Sequence, residues 1–368
     1  NGSAVYEMGP ASVPLERAVV HRLGGTLGLG PERGGILCHG GTMANAVALL
    51  AARATRAGGD VWNDGATEPL ALLVSEQAHY CVDRIVRIMG WGADGVIAVP
   101  ADSSHRMKIE ELPGCLERAR AKGRKVIAIV GSACTTSVGA YDNLNGIADF
   151  ASAHNLWFHV DGAHGAPAAF SATHRECVAG LGRADSVTMD FHKLMGLPTL
   201  CTGLFYQREG DSFAAFAQKA DYLFAADERQ WWDMGKRTFE CTKRSLSLRI
   251  KALLDVHGEA LWGDLVDRLF GLAREFATAV DSRGQWQLAV PPEANIVCFR
   301  HRPDGIAGAA LDEHNEALRA RLLEQGPQYI VQTRFGGSTW LRVTMMNPMT
   351  TGDDISCLLD RLETLAKL

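Results

Sequence analysis

Six short apolar runs punctuate the first two-thirds of the chain: ALLVS (71–75), VIAVP (96–100), KVIAIVG (125–131), LWFHVD (156–161), SVTMD (186–190) and TGLFYQ (202–207), with longer helical patterns between them. A strand with one wet face alternates apolar and polar residues, whereas these runs are continuous, so they predict strands buried on both faces. That is the pattern of an α/β fold, a mostly parallel sheet covered by helices, whose functional groups gather beyond the carboxyl ends of strands. After about Thr242 the pattern changes to helical stretches at 243–257 and 261–279, strands NIVCFR (295–300), YIVQT (329–333) and WLRVTM (340–345), and a closing helix near 353–366. The change predicts a large domain over 1–245 and a smaller α+β domain over 246–368. Pro291-Pro292 and Arg302-Pro303-Asp304-Gly305 read as loops, and no internal repeat or low-complexity tract is visible.

With 368 residues, 47% hydrophobic and 21% charged, the chain is too large for one small core, which agrees with two domains. The formal charge of −5 is spread out, with no basic run to neutralise a phosphate backbone, so the expected partner is a small molecule and not nucleic acid. Nine cysteines without CxxC spacing argue against a zinc site or a disulfide framework and point to a reducing cytoplasm. No stretch approaches 18 uninterrupted apolar residues, and the opening NGSAVYEMGP has neither a basic n-region nor an apolar h-region, so no membrane span or signal peptide is expected. The chain opens without Met, directly in a motif-like segment, and residues upstream of it are therefore expected.

The sharpest chemical feature is Lys193 in DSVTMDFHKLMGLP (185–198), 32 residues after Asp161 in WFHVDGAHG (157–165). Pyridoxal phosphate (PLP) needs a lysine amine to hold it as a Schiff base and a carboxylate to keep its pyridine nitrogen protonated, so that the ring accepts electrons. A lone lysine is ordinarily a solvated surface charge, but this one follows SVTM and precedes Leu-Met-Gly, where partial desolvation suits an amine nucleophile. Asp161 has a rival reading as a strand-end cap, or as a metal ligand with His159 and His164; a third ligand and an open position are not evident, so no metal is expected. For the phosphate, GGILCHGGTMANAVALLAAR (34–53) supplies a short strand, a glycine turn and a helix starting near Thr42. Gly40 and Gly41 let backbone amides approach an anion and Thr42 adds a hydroxyl, although such turns are commonly plain helix caps. His79 in SEQAHY (75–80) either caps the following helix or lays a flat ring on the cofactor, and Thr135 and Thr136 draw attention by their place at a strand end.

Taken together, GGILCHGGTMAN, SEQAHY, ACTTSVGAYD, HVDGAHG, SVTMDFHKLMGLP and LRVTMMNP, in this order and spacing, resemble the group II PLP-dependent amino-acid decarboxylases, and most of all the glutamate, cysteine sulfinate and diaminobutyrate branch. The resemblance covers nearly the whole chain. It implies fold type I and a homodimer with active sites at the subunit interface. It makes Lys193 the Schiff-base lysine and Asp161 the partner of the pyridine nitrogen, with Ala163 on one ring face and His79 on the other. It also places Gly40, Gly41, Thr42 and His192 around the phosphate, Asp190 two residues before His192, and Thr136 near the ring hydroxyl. Arg342 in WLRVT resembles the family's C-terminal arginine, which can pair with a substrate carboxylate; as a residue by itself its lesser reading is a salt bridge on an exposed strand.

One position departs from the family. Where its decarboxylases carry a loop tyrosine that protonates the substrate carbon, the stretch YLFAADERQWWDMGKRTFEC (222–241) places Trp232, whose indole N–H is a donor but not a practical acid. Protonation would then fall to His79, Tyr222 or water. Three readings stay open: decarboxylation of an amino acid, another PLP reaction such as lyase, transaminase or decarboxylation-dependent oxidative deamination, and a PLP-binding homologue without turnover. Arg342 suggests a short polar substrate, while Tyr6, Trp231 and Trp232 are candidate liners for an aromatic one.

Overall fold

The computed structural model describes residues 2–3, 5–216, 231–232 and 234–368. The chain forms two compact units, Asn1–Cys134 with Tyr141–Gly263, and Thr135–Ala140 with Asp264–Leu368. In chain order the first unit contains α1 (Ser12–Thr26), β1 (Gly34–Cys38), α2 (Gly41–Arg56), β2 (Leu70–Ser75), α3 (Cys81–Ile88), β3 (Val96–Val99), α4 (Leu112–Ala121), β4 (Lys125–Ser132), α5 (Leu144–Ala153), β5 (Trp157–Asp161), β6 (Ser186–Asp190), β7 (Thr202–Tyr206) and α6 (Ser247–His257). Helix α7 (Ala260–Asp281) carries the chain from the first unit into the second, which holds β8 (Trp286–Leu288), β9 (Ile296–His301), α8 (Ala309–Gln325), β10 (Val331–Phe335), β11 (Ser338–Thr344) and α9 (Gly352–Ala366).

The first unit is built on a seven-stranded sheet in the order β1-β7-β6-β5-β4-β2-β3. Strands β3, β2, β4, β5 and β6 are parallel, as the continuous apolar runs predict, whereas β7 returns antiparallel to β6 and pairs on its other side with β1. Every residue of β2, β6 and β7 is buried, and each Val, Leu or Ile so enclosed contributes about 1.5–3 kcal/mol of apolar burial. Helix α2 crosses the sheet on Ala44, Val47, Ala48, Ala51 and Ala52, a helical-spacing stripe of small residues that brings its backbone close to the strands. Arg53 and Arg56 close its last turn, where cations favour the helix dipole.

The second unit has a four-stranded antiparallel sheet, β10-β11-β9-β8. Val138, Ala140, Ile296, Cys298, Phe335 and Trp340 form a buried cluster on it, with Phe335 and Trp340 stacked at 5.7 Å. Helix α9 starts with a capping box, Thr351 and Asp354 each accepting a bond from the other's backbone N–H. Among the described residues no helix is long and apolar enough to cross a membrane.

Candidate active site

Parallel strands β4, β5 and β6 end side by side, so Ser132, Asp161 and Asp190 arrive at one edge of the sheet. Lys193 lies in the turn after β6, and its Nζ is 2.9 Å from Asp190 Oδ2. The lysine side chain is 36% exposed and the aspartate 2%, so the amine can be reached while its partner is held from below. Thr202 Oγ1 donates to Asp190 Oδ1 at 2.5 Å, and His192 Nε2 stands 3.7 Å from Oδ2. His192 Nδ1 lies 2.9 Å from the carbonyl of Cys201 on the facing strand segment. Asp190 is therefore the centre of a small cluster, a role that its sequence position alone did not reveal.

Asp161, at the end of β5, is held by neutral donors: Asn45 Nδ2 at 2.9 Å on Oδ2 and the Ala163 backbone N–H at 3.2 Å on Oδ1. Asn45 is buried on α2, within the stripe of small apolar residues. His159, fully buried two residues earlier on β5, places Nε2 at 3.0 Å from Asn45 Oδ1 and Nδ1 at 2.8 Å from Ser186 Oγ. Burial holds its imidazole neutral, with the pKa pushed down to about 4. Both ring nitrogens are thus engaged, and among the described residues no group of three His, Cys, Asp or Glu side chains is arranged to hold a metal ion.

His79 follows β2, and its Nδ1 accepts the backbone N–H of Cys81 at 3.2 Å, the first residue of α3. That is the helix-capping geometry weighed from the sequence. It also fixes the ring, and in the neutral form it leaves the proton on Nε2. Burial lowers the His79 pKa first; Asp161 and Asp190 act in the opposite sense, and Lys193 and Arg84 in the same. His79 therefore lies within the field of all three predicted charged groups. The Cys81 thiol, its pKa pushed up to about 12 by burial and then by Asp161, is no nucleophile at neutral pH.

The glycine turn sits beside this cluster. Gly40 has φ +103°, a conformation that side chains disfavour, and precedes the first turn of α2, its carbonyl accepting from Met43 and Ala44. A Cβ on Gly41 would stand 3.2 Å from Ala163 Cβ and 3.3 Å from both Asp190 carboxylate oxygens, tighter than ordinary van der Waals contact, so a side chain there would press on both residues. Thr42 is exposed on the first turn, and Ala163 is buried beside Asp161. An amine, a carboxylate bound among the described residues by neutral donors, and a glycine turn at a helix start form a donor set that fits pyridoxal phosphate.

Thr136 and Arg342 belong to the second unit. Thr136 is exposed in a turn whose base is tied by buried Thr135, its N–H donating to Ala140 O at 2.8 Å and its Oγ1 accepting from Ala140 N at 3.0 Å. Arg342 pairs across β11 with Cys298 and Val331, and its Nε donates to Ser137 O at 3.2 Å. Trp231 and Trp232 meet edge to face at 5.4 Å and pack against the core of the first unit, with the Arg17 guanidinium 4.9 Å over Trp231. Tyr6 lies in a single turn, Tyr6–Met8, and Tyr222 falls outside the described residues. The sequence reading missed Asn45, Ser186, Trp157 and Thr202. Only Asn45 carried a signal, as a polar residue in an apolar helical stripe, which must find a buried partner.

The pyridoxal-dependent decarboxylase conserved domain matches residues 3–302 of this chain. L-2,4-diaminobutyrate decarboxylase of Rhizobium meliloti is 32% identical over 364 residues, covering 98% of this chain and 72% of that protein. Cysteine sulfinic acid decarboxylase of Homo sapiens is 31% identical over 376 residues, covering 98% and 76%. The crystal structure of mouse CSAD superposes with a TM-score of 0.92 at 29% identity, over 100% of this chain and 78% of that one.

Proposed function

The chain belongs to the pyridoxal-dependent decarboxylase family, and from that premise we propose that it removes carbon dioxide from a small L-amino acid whose side chain is acidic, sulfinic or diamino. The relatives named for diaminobutyrate and cysteine sulfinic acid support that substrate class. The observation that carries the reading is the contrast at the ends of β5 and β6: Lys193 is paired with Asp190, while among the described residues Asp161 is bound by neutral donors only.

On this reading Lys193 supplies the amine that anchors the cofactor, and Asp190 keeps that amine at the end of β6. Asp161 holds the proton of the pyridine nitrogen, with Ala163 and His79 on the two ring faces. Gly40, Gly41, Thr42 and His192 take the phosphate, Thr136 the ring hydroxyl, and Arg342 a substrate carboxylate. When bound, pyridoxal phosphate supplies the electron sink for the pair released as carbon dioxide departs. The carboxylate of Asp161, fixed in a site of low dielectric, is asked for several kcal/mol of that stabilisation. His79, its ring fixed by the Cys81 N–H, would deliver a proton to the substrate carbon in place of the family's loop tyrosine only in its charged imidazolium form, which burial disfavours.

A second outcome is favoured by Trp232, which is packed against the core and offers no acid; decarboxylation would then end in an aldehyde and ammonia, with dioxygen as the acceptor of the two electrons. The homodimer expected of the family and a cytoplasmic setting are part of the same proposal, the latter supported by nine cysteines that form no disulfide. The test is mass-spectrometric detection of carbon dioxide and amine when the PLP-loaded protein meets acidic, diamino and aromatic L-amino acids, with Lys193→Ala as control. Carbon dioxide with the simple amine establishes the decarboxylase; carbon dioxide with an aldehyde selects the second outcome. Spectral change without carbon dioxide refutes both.

A further inference from the structure

Five side chains from β5, β6 and α2 stand in single file and end on Asp161: Trp157, Ser186, His159, Asn45 and Asp161. The direction of every bond in this file can be derived. The indole Nε1 of Trp157 only donates, so Ser186 Oγ accepts from it at 2.9 Å and turns its own proton elsewhere. At the other end a carboxylate only accepts, so Asn45 faces Asp161 with Nδ2 and faces His159 with Oδ1. Oδ1 accepts, hence His159 Nε2 carries the proton, its Nδ1 is bare, and the Ser186 hydroxyl donates to it at 2.8 Å. The Trp157 end accommodates this assignment, since the Ser186 hydroxyl accepts from the indole and keeps its own proton for His159. Trp157, His159, Ser186 and Asn45 are all at most 1% exposed, so water does not substitute for any member.

We propose that Asn45, His159, Ser186 and Trp157 are positioning residues, a one-way hydrogen-bond relay that holds the Asp161 carboxylate aimed at the pyridine nitrogen. The proposal rests on the cofactor reading above and names side chains that do not touch the cofactor. Reversal is what the relay resists. If the Asn45 amide turned its Oδ1 toward Asp161, two acceptors would face each other, and His159 would have to move its proton to Nδ1 and donate to Ser186. The Ser186 oxygen would then receive two donors, and its own proton would lose its acceptor in a dry site. The relay thus disfavours the amide flip that would release Asp161 from its aim at the ring.

Two measurements on the full-length protein test this. In ¹⁵N-histidine NMR, with and without added pyridoxal phosphate, His159 should be neutral and protonated on Nε2; a charged ring or a proton on Nδ1 overturns the relay. Release of pyridoxal phosphate is then timed, and its visible absorption recorded, for Asn45→Leu, Ser186→Ala and the control Asp161→Asn. Leucine keeps the volume of asparagine, so a purely structural Asn45 would tolerate it. The relay instead predicts release about 10–100-fold faster, as for partners behind a functional ligand, and a spectrum moved toward that of Asp161→Asn. Should Asn45→Leu fail to fold, Ser186→Ala and the NMR still decide. Loss in Asp161→Asn with native behaviour in the other two overturns the relay alone. Native binding and spectrum in Asp161→Asn overturn the cofactor reading, and the relay's role with it.

Discussion

Lys243→Met should be severely destabilising, and the reason is visible in the sheet. Strand β1 is an edge strand, paired with β7 on one side only. The outward N–H and C=O of Leu37 are instead satisfied by side chains: Glu16 Oε1 accepts the N–H at 2.8 Å and Lys243 Nζ donates to the C=O at 2.7 Å. The two side chains also pair with each other at 2.5 Å, and they are 2% and 1% exposed. Removing the lysine leaves a buried carboxylate without its cation and a carbonyl without its donor, a loss of about 3–5 kcal/mol. At about 2–4 °C per kcal/mol for a unit of this size, the melting temperature should fall by roughly 6–20 °C. Glu16→Gln combined with Lys243→Met removes both charges and keeps an acceptor for Leu37. That double variant should lose only about 1–3 kcal/mol, the range for one unsatisfied buried group. Thermal melts of the three proteins followed by circular dichroism at pH 7 provide the comparison. If the double variant melts no higher than Lys243→Met, the unpaired charge is not the source of the loss and the reasoning fails.

Asp161→Ala should lose about 10²–10³-fold in turnover, the range for deleting a fixed electrostatic contact to a developing charge, and near-normal turnover would refute its assignment. Gly41→Ala puts a Cβ 3.2–3.3 Å from Ala163 and Asp190, which must give by a few tenths of an ångström, so cofactor affinity measured by fluorescence titration should fall by about tenfold, or 1.4 kcal/mol, and the melting temperature of the cofactor-free protein should fall with it. His159 takes up a proton at about pH 4 when folded against 6.5 ordinarily. Its contribution is therefore full above pH 6.5 and lost as pH falls toward 4, about 3 kcal/mol in all; His159→Gln should flatten stability against pH across that window, and an unchanged slope would count against the buried neutral ring.

The parallel core was legible because a strand covered on both faces is mostly apolar, and β2 and β4 carry that signature in their residues, whereas β3 is apolar with Ala98 exposed and β5 and β6 bury His159, Ser186, Thr188 and Asp190. Strand direction was not. β6 and β7 are both wholly buried, and nothing in their periodicity tells that the turn holding Lys193 sends the chain back antiparallel. Helix α8 escaped notice because its buried face mixes Leu311, Leu318 and Leu322 with Asp312 and Asn315, which blurs the apolar stripe. Those polar residues have tertiary partners: Asn315 Oδ1 takes the backbone N–H of His301, and Asp312 that of Thr339. Lys193 and Asp161 stood out because each closes an apolar run, whereas Ser186 and Trp157 look like ordinary strand residues until the adjacent strand and α2 are in place.

The two carboxylates at the ends of β5 and β6 show why strand-end residues of one chemical type take different parts. Asp190 is 2% exposed and faces an ammonium and a hydroxyl, so its charge is balanced within the chain. Asp161 receives one amide N–H from Asn45 and one from Ala163, both neutral, and among the described residues no cation pairs with it. Neutral donors satisfy its oxygens and orient them but leave its charge uncompensated, which a protein tolerates in a partly enclosed site when a ligand supplies the cation. A protonated pyridine ring is such a cation. A metal ion is the other candidate by charge, but His159 turns Nε2 toward Asn45 and Nδ1 toward Ser186, which leaves it no lone pair for a ligand role. The relay behind Asp161 thus argues for the organic cofactor by two routes at once: it spares the charge of the carboxylate, and it occupies the histidine that would otherwise have competed for it.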